Sequence, residues 1–203
     1  MTKRLEFLFD FASPNAYFAY RALPPILERT GAELVIMPCL LGGLFRATGN
    51  QAPLVAFAGI KGKIEYDMLE IKRFVAKHKL TKYRMNPHFP VNTLVLMRGL
   101  VAARRRGEEA AYLEMGLQGL WEEGLKLDDK DVLARRIAEA GLDAERLLAD
   151  AELPEVKQSL IEATPAAVAR GAFGIPTFFV GKEMFFGKDR LGQVEEELAK
   201  TAP

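Results

Sequence analysis

Strand-forming sequence is confined to the two ends of this 203-residue chain. Near the start, Leu5, Phe7 and Phe9 face one way, and Leu8 faces the other way between Glu6 and Asp10. A short run that is apolar on both faces at its middle is the pattern of a strand buried in a sheet. A second such run, "AELVIMP", stops at Pro38. Between the two, Tyr17, Phe18, Ala22, Ile26 and Leu27 make a helical stripe closed by Thr30-Gly31. Pro14 falls where the first turn of a helix accepts proline, and Pro24-Pro25 predicts a kink or restart. The first forty residues therefore read β-α-β, which favours a parallel pair with a right-handed crossover. From "GKIEYDMLEIKRFVAKHKL" to Gly171 almost everything reads as helical, including segments over Asn92 to Arg106 and Glu109 to Glu123. Strand signal returns at "IPTFFVGKEMFFG", where Gly181-Lys182 separates two β runs as a tight hairpin. A last helix follows, with Leu191, Val194 and Leu198 on one face.

A β-α-β unit and a β-β-α unit that share one mixed sheet form the thioredoxin-type layout. The expected fold is therefore α/β: a thioredoxin-like (DsbA-like) domain from residues 1–60 and 172–203, with residues 61–171 as a large all-helical insertion. A net charge of +1 gives no field that would gather nucleic acid or an anionic membrane. No apolar stretch approaches the roughly 20 residues of a membrane span. The Met-Thr-Lys-Arg start lacks the apolar run of a signal peptide. One cysteine, Cys39, and two histidines, His78 and His88, exclude an internal disulfide and most cysteine or histidine metal clusters. A cytoplasmic setting is the default expectation. Arg104-Arg105-Arg106 sits at a helix C-terminus, where it complements the dipole and reads as a polar face, not a phosphate site.

In a thioredoxin-type fold the loop between the first strand and helix carries the chemistry. Free N–H groups and the positive end of the helix dipole meet there and favour a thiolate. Disulfide oxidoreductases place Cys-x-x-Cys at this point, and here the residues are Ser13-Pro14-Asn15-Ala16. Without sulfur, dithiol exchange is excluded, but a hydroxyl still offers a proton to a thiolate brought by another molecule. Gly174-Ile175-Pro176-Thr177 is the second landmark. A proline just before a strand, facing such a helix mouth, is expected to be cis, with Ile175 offering backbone groups to an extended thiol ligand.

These landmarks, "FDFASPNAYFA", "LLGGLFRATGNQAP", "NPHFPVNTL", "GIPTFFVG" and "FFGKDRL", resemble the 2-hydroxychromene-2-carboxylate isomerases along essentially the whole chain. That family is kin to the kappa-class glutathione transferases and to DsbA-like proteins. The resemblance implies a glutathione-dependent isomerase of aromatic hydrocarbon degradation. It would interconvert 2-hydroxychromene-2-carboxylate and trans-o-hydroxybenzylidenepyruvate, with glutathione or another low-molecular-weight thiol as cofactor. It implies that Ser13 contacts the glutathione sulfur and that Ile175 and Pro176 pair with its backbone. Phe186, Gly187, Lys188 and Asp189 would hold the γ-glutamyl end. The segment containing Arg46, Asn50 and Pro53, together with Asn92, would line the organic-substrate side. The implied partners are a small aromatic carboxylate and a second copy of the chain. The family commonly carries lysine where this chain has Arg46, which clamps a carboxylate but does not shuttle a proton.

Other readings of the same residues stay open at this level. Ser13, Asn92 and Asp189 are each suited to cap a helix. Cys39 reads as a packed residue, His88 as a loop residue and His78 as a residue on a polar helix face. Trp121 is either core or the roof of a pocket. A kappa-type transferase and a non-catalytic thioredoxin-fold module compete with the isomerase, since fold kinship does not fix substrate.

Overall fold

The computed structural model describes residues 3–200. The Met-Thr start and the last three residues, which fall inside the 1–60 and 172–203 bounds, lie outside it. Four strands form one sheet in the order β2-β1-β3-β4. The strands are β1 (Arg4–Phe9), β2 (Glu33–Pro38), β3 (Thr177–Val180) and β4 (Glu183–Phe186). β1 and β2 pair in parallel, with Phe7 opposite Ile36. β3 returns antiparallel beside β1, with Phe7 opposite Phe178, and β4 closes the hairpin. Gly181 takes the hairpin turn at φ +60°, a value that glycine reaches without steric cost. The two ends of the chain thus share one sheet, and Leu5, Phe7, Phe9, Phe178 and Phe179 are fully buried in it.

The crossover holds α1 (Pro14–Ala22) and α2 (Pro24–Thr30). The stripe does restart at the double proline, because Pro24 and Pro25 cannot donate the N–H bonds of a continuous helix. After β2 come α3 (Leu41–Thr48), α4 (Pro53–Ala56) and α5 (Lys63–Lys77). They are followed by α6 (Leu94–Arg105) and α7 (Glu109–Gln118), and a π turn continues α7 over Gly119–Glu123. α8 (Lys130–Glu139), α9 (Ala144–Asp150) and α10 (Pro154–Ala169) lead back to the sheet. A 3-10 turn (Lys188–Arg190) and α11 (Leu191–Lys200) follow β4.

The helical block shares one continuous core with the sheet: α6 and α10 both pack on β2. Trp121 is 1% exposed, and its Nε1 donates to the Phe11 carbonyl at 3.0 Å. It is therefore core, and it braces the segment that follows β1. The three consecutive arginines reach carboxylates: Arg104 reaches Glu109, Arg105 reaches Glu155, and Arg106 reaches Glu108 and Asp150. His78 ends α5 with its ring against Phe74, centroids 4.2 Å apart, so it is half-buried and not on a polar face.

Candidate thiol site at the mouth of the first helix

Ser13 occupies the N-cap of α1 with extended backbone, φ −95° and ψ 112°. Its Oγ accepts the Ala16 N–H at 3.2 Å, the usual bond of a capping serine. The same hydroxyl donates to the Ile175 carbonyl at 3.1 Å across 162 residues of sequence. The Ile175–Pro176 peptide is cis. One side chain, 4% exposed, thus caps α1 and bridges to the cis-proline loop.

The donors left over define what the site accepts. Pro14 has no N–H, and the Ser13 N–H is taken by the Asp10 carbonyl at 3.2 Å. Among the described residues the Asn15 N–H has no partner, so it stands at the positive end of α1. The Ile175 N–H likewise has no partner, although Ile175 is only 6% exposed. A buried amide without an acceptor is costly unless a ligand or water completes it. An extended peptide-like thiol lying beside Pro176 supplies that acceptor, so these residues fit glutathione.

The β4 end closes on the same loop. Gly187 donates its N–H to the Pro176 carbonyl at 2.9 Å. Phe186 is 41% exposed and packs on Phe173, ring centroids 4.5 Å apart. At Gly174 a Cβ would meet the Phe186 ring at 2.8 Å, so only glycine lets ring and loop approach this closely. Lys188 is buried, with its Nζ 4.8 Å from the Phe74 ring centroid and 2.6 Å from the Asp189 carboxylate. Asp189 is 64% exposed at its side chain and pairs with that lysine; it does not cap the final helix.

The residues expected on the organic-substrate side are spread more widely. Asn50 joins the thiol site directly: its Nδ2 donates to the Phe173 carbonyl at 2.8 Å, just before the cis-proline loop. Arg46 is exposed in the last turn of α3, and Pro53 is exposed at the start of α4. Neither makes a hydrogen bond or ion pair with the Ser13 group among the described residues. Asn92 is exposed too; its Oδ1 accepts the Leu94 N–H at 3.1 Å, one position before the N-cap of α6. The N-cap itself is Thr93, whose hydroxyl turns inward. His88 lies in a loop that contains a second cis peptide, Phe89–Pro90. Cys39 is buried, and burial pushes its thiol up to about 11, which removes it as a nucleophile at neutral pH.

One polar residue of the site figured in the sequence only as a polar flank of Leu8. Asp10, at the end of β1, is 1% exposed. Its Oδ1 accepts the Ala12 N–H at 2.9 Å and the Thr93 hydroxyl at 2.7 Å. Its Oδ2 accepts the Leu41 N–H at 2.8 Å. Burial pushes the carboxyl above its usual range, against the pull of these three donors. The sequence signal was an aspartate directly following an apolar strand, a position that needs partners if it is to be buried.

Known proteins are similar to this chain along nearly its whole length. Residues 4–199 match the DSBA-like thioredoxin domain. A 2-hydroxychromene-2-carboxylate isomerase of Sphingobium xenophagum is 30% identical over 98% of this chain and 99% of its own. The glutathione S-transferase kappa 1 of Rattus norvegicus is 30% identical over 92% of this chain and 87% of its own. The solved structure of a 2-hydroxychromene-2-carboxylate isomerase superposes with a TM-score of 0.80 at 26% identity, covering 97% of this chain and 95% of that one. Homologues named isomerases and transferases support an enzyme of this kind. The chain belongs to the DSBA-like thioredoxin-domain family, in the group that holds the 2-hydroxychromene-2-carboxylate isomerases and the kappa-class glutathione transferases.

Proposed function

We propose that the protein is a glutathione-dependent isomerase that interconverts 2-hydroxychromene-2-carboxylate and trans-o-hydroxybenzylidenepyruvate. The observation that carries this reading is the placement of a hydroxyl where redox relatives hold a cysteine: Ser13 caps α1 and lies 3.1 Å from the Ile175 carbonyl. Glutathione, when bound, supplies a thiolate whose reversible addition turns a double bond that cannot rotate into a single bond that can.

The residues of this chain then have three tasks. Ile175 and Pro176 hold the peptide backbone of the thiol, and Phe186, Gly187, Lys188 and Asp189 hold its γ-glutamyl end. The Ser13 hydroxyl and the Asn15 N–H acidify the thiol. A hydrogen bond to a charged acceptor is worth about 1.5–3 kcal/mol and a helix end about 0.3–1 kcal/mol. One thiol pKa unit is worth about 1.4 kcal/mol, so the two together supply one to two units or more. Ser13 has one proton to give, so serving the sulfur means withdrawing it from the Ile175 carbonyl. Arg46 neutralises the carboxylate of the organic acid and keeps its charge throughout, while Asn50, Pro53 and Asn92 line that side.

The test is the ultraviolet absorbance of a chromene carboxylate mixed with the protein, with and without glutathione. Turnover that requires the thiol is the expected result. Absence of glutathione binding in calorimetry overturns the reading. The kappa transferase of rat has the same 30% identity as the Sphingobium isomerase, over a smaller share of both chains, which supports a second reading: conjugation of glutathione to an electrophile. Stable thioether formation with no isomerisation supports it.

A further inference from the structure

We propose that Asp10 is a positioning residue that fixes the substrate-side helix α3 against the thiol-side loop. It deepens the reading above and rests on it for the identity of the two sides.

One carboxylate reaches three separate segments. Ala12 belongs to the loop that delivers Ser13, Leu41 is the first residue of α3, and Thr93 is the N-cap of α6, next to Asn92. The Asp10 main-chain carbonyl also takes the Ser13 N–H. The N-cap residue of α3 is Leu40, which has no side chain able to satisfy a first-turn donor. Asp10 does this from another element, as an N-cap carboxylate normally does within its own chain segment. Its charge also faces the positive end of the α3 dipole.

The far end of α3 is tied to the same site by a different bond. Asn50, two residues past the helix, donates to Phe173 in front of the cis-proline loop. α3 therefore spans the site, pinned at its start to the helix mouth and beyond its end to the Ile175 segment. Arg46 lies between the two pins and has no ion pair among the described residues. Its placement is inherited from the helix that carries it. Releasing the Asp10 pin lets the start of α3 drift, while the Ser13 hydroxyl keeps its bonds to the Ile175 carbonyl and the Ala16 N–H. The expected signature is weaker binding of the organic acid with the thiol subsite intact.

Two sets of variants test this. In Asp10→Asn, the amide oxygen still accepts from Ala12 and Thr93, but its NH₂ faces the Leu41 N–H, donor against donor. Leu41→Pro deletes the N–H, along with the leucine side chain, at a position where a helix accepts proline, after a residue already extended at ψ 119°. Leu41→Ala is its control, keeping the N–H and losing the side chain. Hydrogen exchange of the α3 amides should be at least tenfold faster in Asp10→Asn and Leu41→Pro than in wild type and Leu41→Ala, with β1 and β3 unchanged. KM for the chromene carboxylate should rise at least fivefold in the same two variants, with kcat and the glutathione Kd within twofold. Equal α3 exchange in Leu41→Pro and Leu41→Ala overturns the proposal, and so does a parallel loss of glutathione affinity. If Asp10→Asn fails to fold, the Leu41 pair decides alone. If the wild type shows no thiol-dependent turnover, the functional reading fails and the exchange data still decide the role of Asp10.

Discussion

Ser13 has a single hydroxyl proton, and it is donated to the Ile175 carbonyl. The oxygen meanwhile accepts from Ala16. Ser13→Ala therefore removes two different things. Loss of the cap bond, together with an unsatisfied Ile175 carbonyl, should lower stability by about 1–2 kcal/mol. For a chain of this size that is a drop of roughly 2–8 °C in Tm. Loss of the donor to sulfur should raise the bound thiol's pKa by about one to two units and reduce turnover at neutral pH about ten- to a hundredfold. Activity should recover in part as pH rises. Ultraviolet titration of bound thiolate, read beside a melting curve, separates the two effects. A melting shift with an unmoved thiol pKa leaves Ser13 as a cap only. The sequence placed this serine correctly at the helix mouth. It did not show that the hydroxyl is already engaged across the fold, because Ile175 is 162 residues away.

At the scale of elements, the helices behind the site approach so closely that two glycines have no room for a methyl group. A Cβ on Gly116 of α7 would lie 2.5 Å from Cε1 of Phe11, a fully buried ring two residues before Ser13. One on Gly99 of α6 would run into the buried Tyr112 ring. In an open helix, glycine to alanine stabilises by up to about 1 kcal/mol. At Gly116 overpacking of about 1–3 kcal/mol opposes that gain, and since the Phe11 ring is enclosed the clash wins. Gly116→Ala should thus lower Tm by several degrees, while Gly42→Ala in α3, with nothing within 4 Å of its Cβ, should leave Tm unchanged or raised. Calorimetric melting of the two variants checks the opposite signs. Helix spacing of this kind is invisible in periodicity, as is the π turn after α7. That turn aims Trp121 at the Phe11 carbonyl and Glu122 at Tyr17.

Over the whole molecule, α1 is clamped to the helical block by a partly buried charge network. Arg21 reaches Glu114 on α7 and Glu122 in the π turn, both at 2.7 Å, and Tyr17 donates to Glu122. Burial raises the Glu114 carboxyl, but the Arg21 guanidinium overrides it and holds the group below its usual range. A lowered carboxylate stabilises the fold fully above its unfolded value of 4.5, and that contribution is lost as pH falls through the lower folded value. Arg21→Met should lower stability by about 2 kcal/mol at pH 7, between the worth of exposed and buried pairs. The gap to wild type should shrink below pH 4.5; melting at pH 7 and pH 4 measures it, and a gap independent of pH removes the network from the account. The sequence by itself determined the β-α-β start, the helical middle, the closing hairpin and the absence of redox sulfur at the helix mouth. Those are local matters of periodicity, proline and glycine placement, and residue chemistry. Tertiary structure alone decided that Asp10 is the buried junction of three segments and that Asn50 joins the cis-proline loop. It alone decided that Asp189 pairs with Lys188 instead of capping a helix. Asp10 and Asn50 meet partners far away in the chain, and packing buries Asp10 and Lys188 so that each must find a polar partner; no window of sequence shows either.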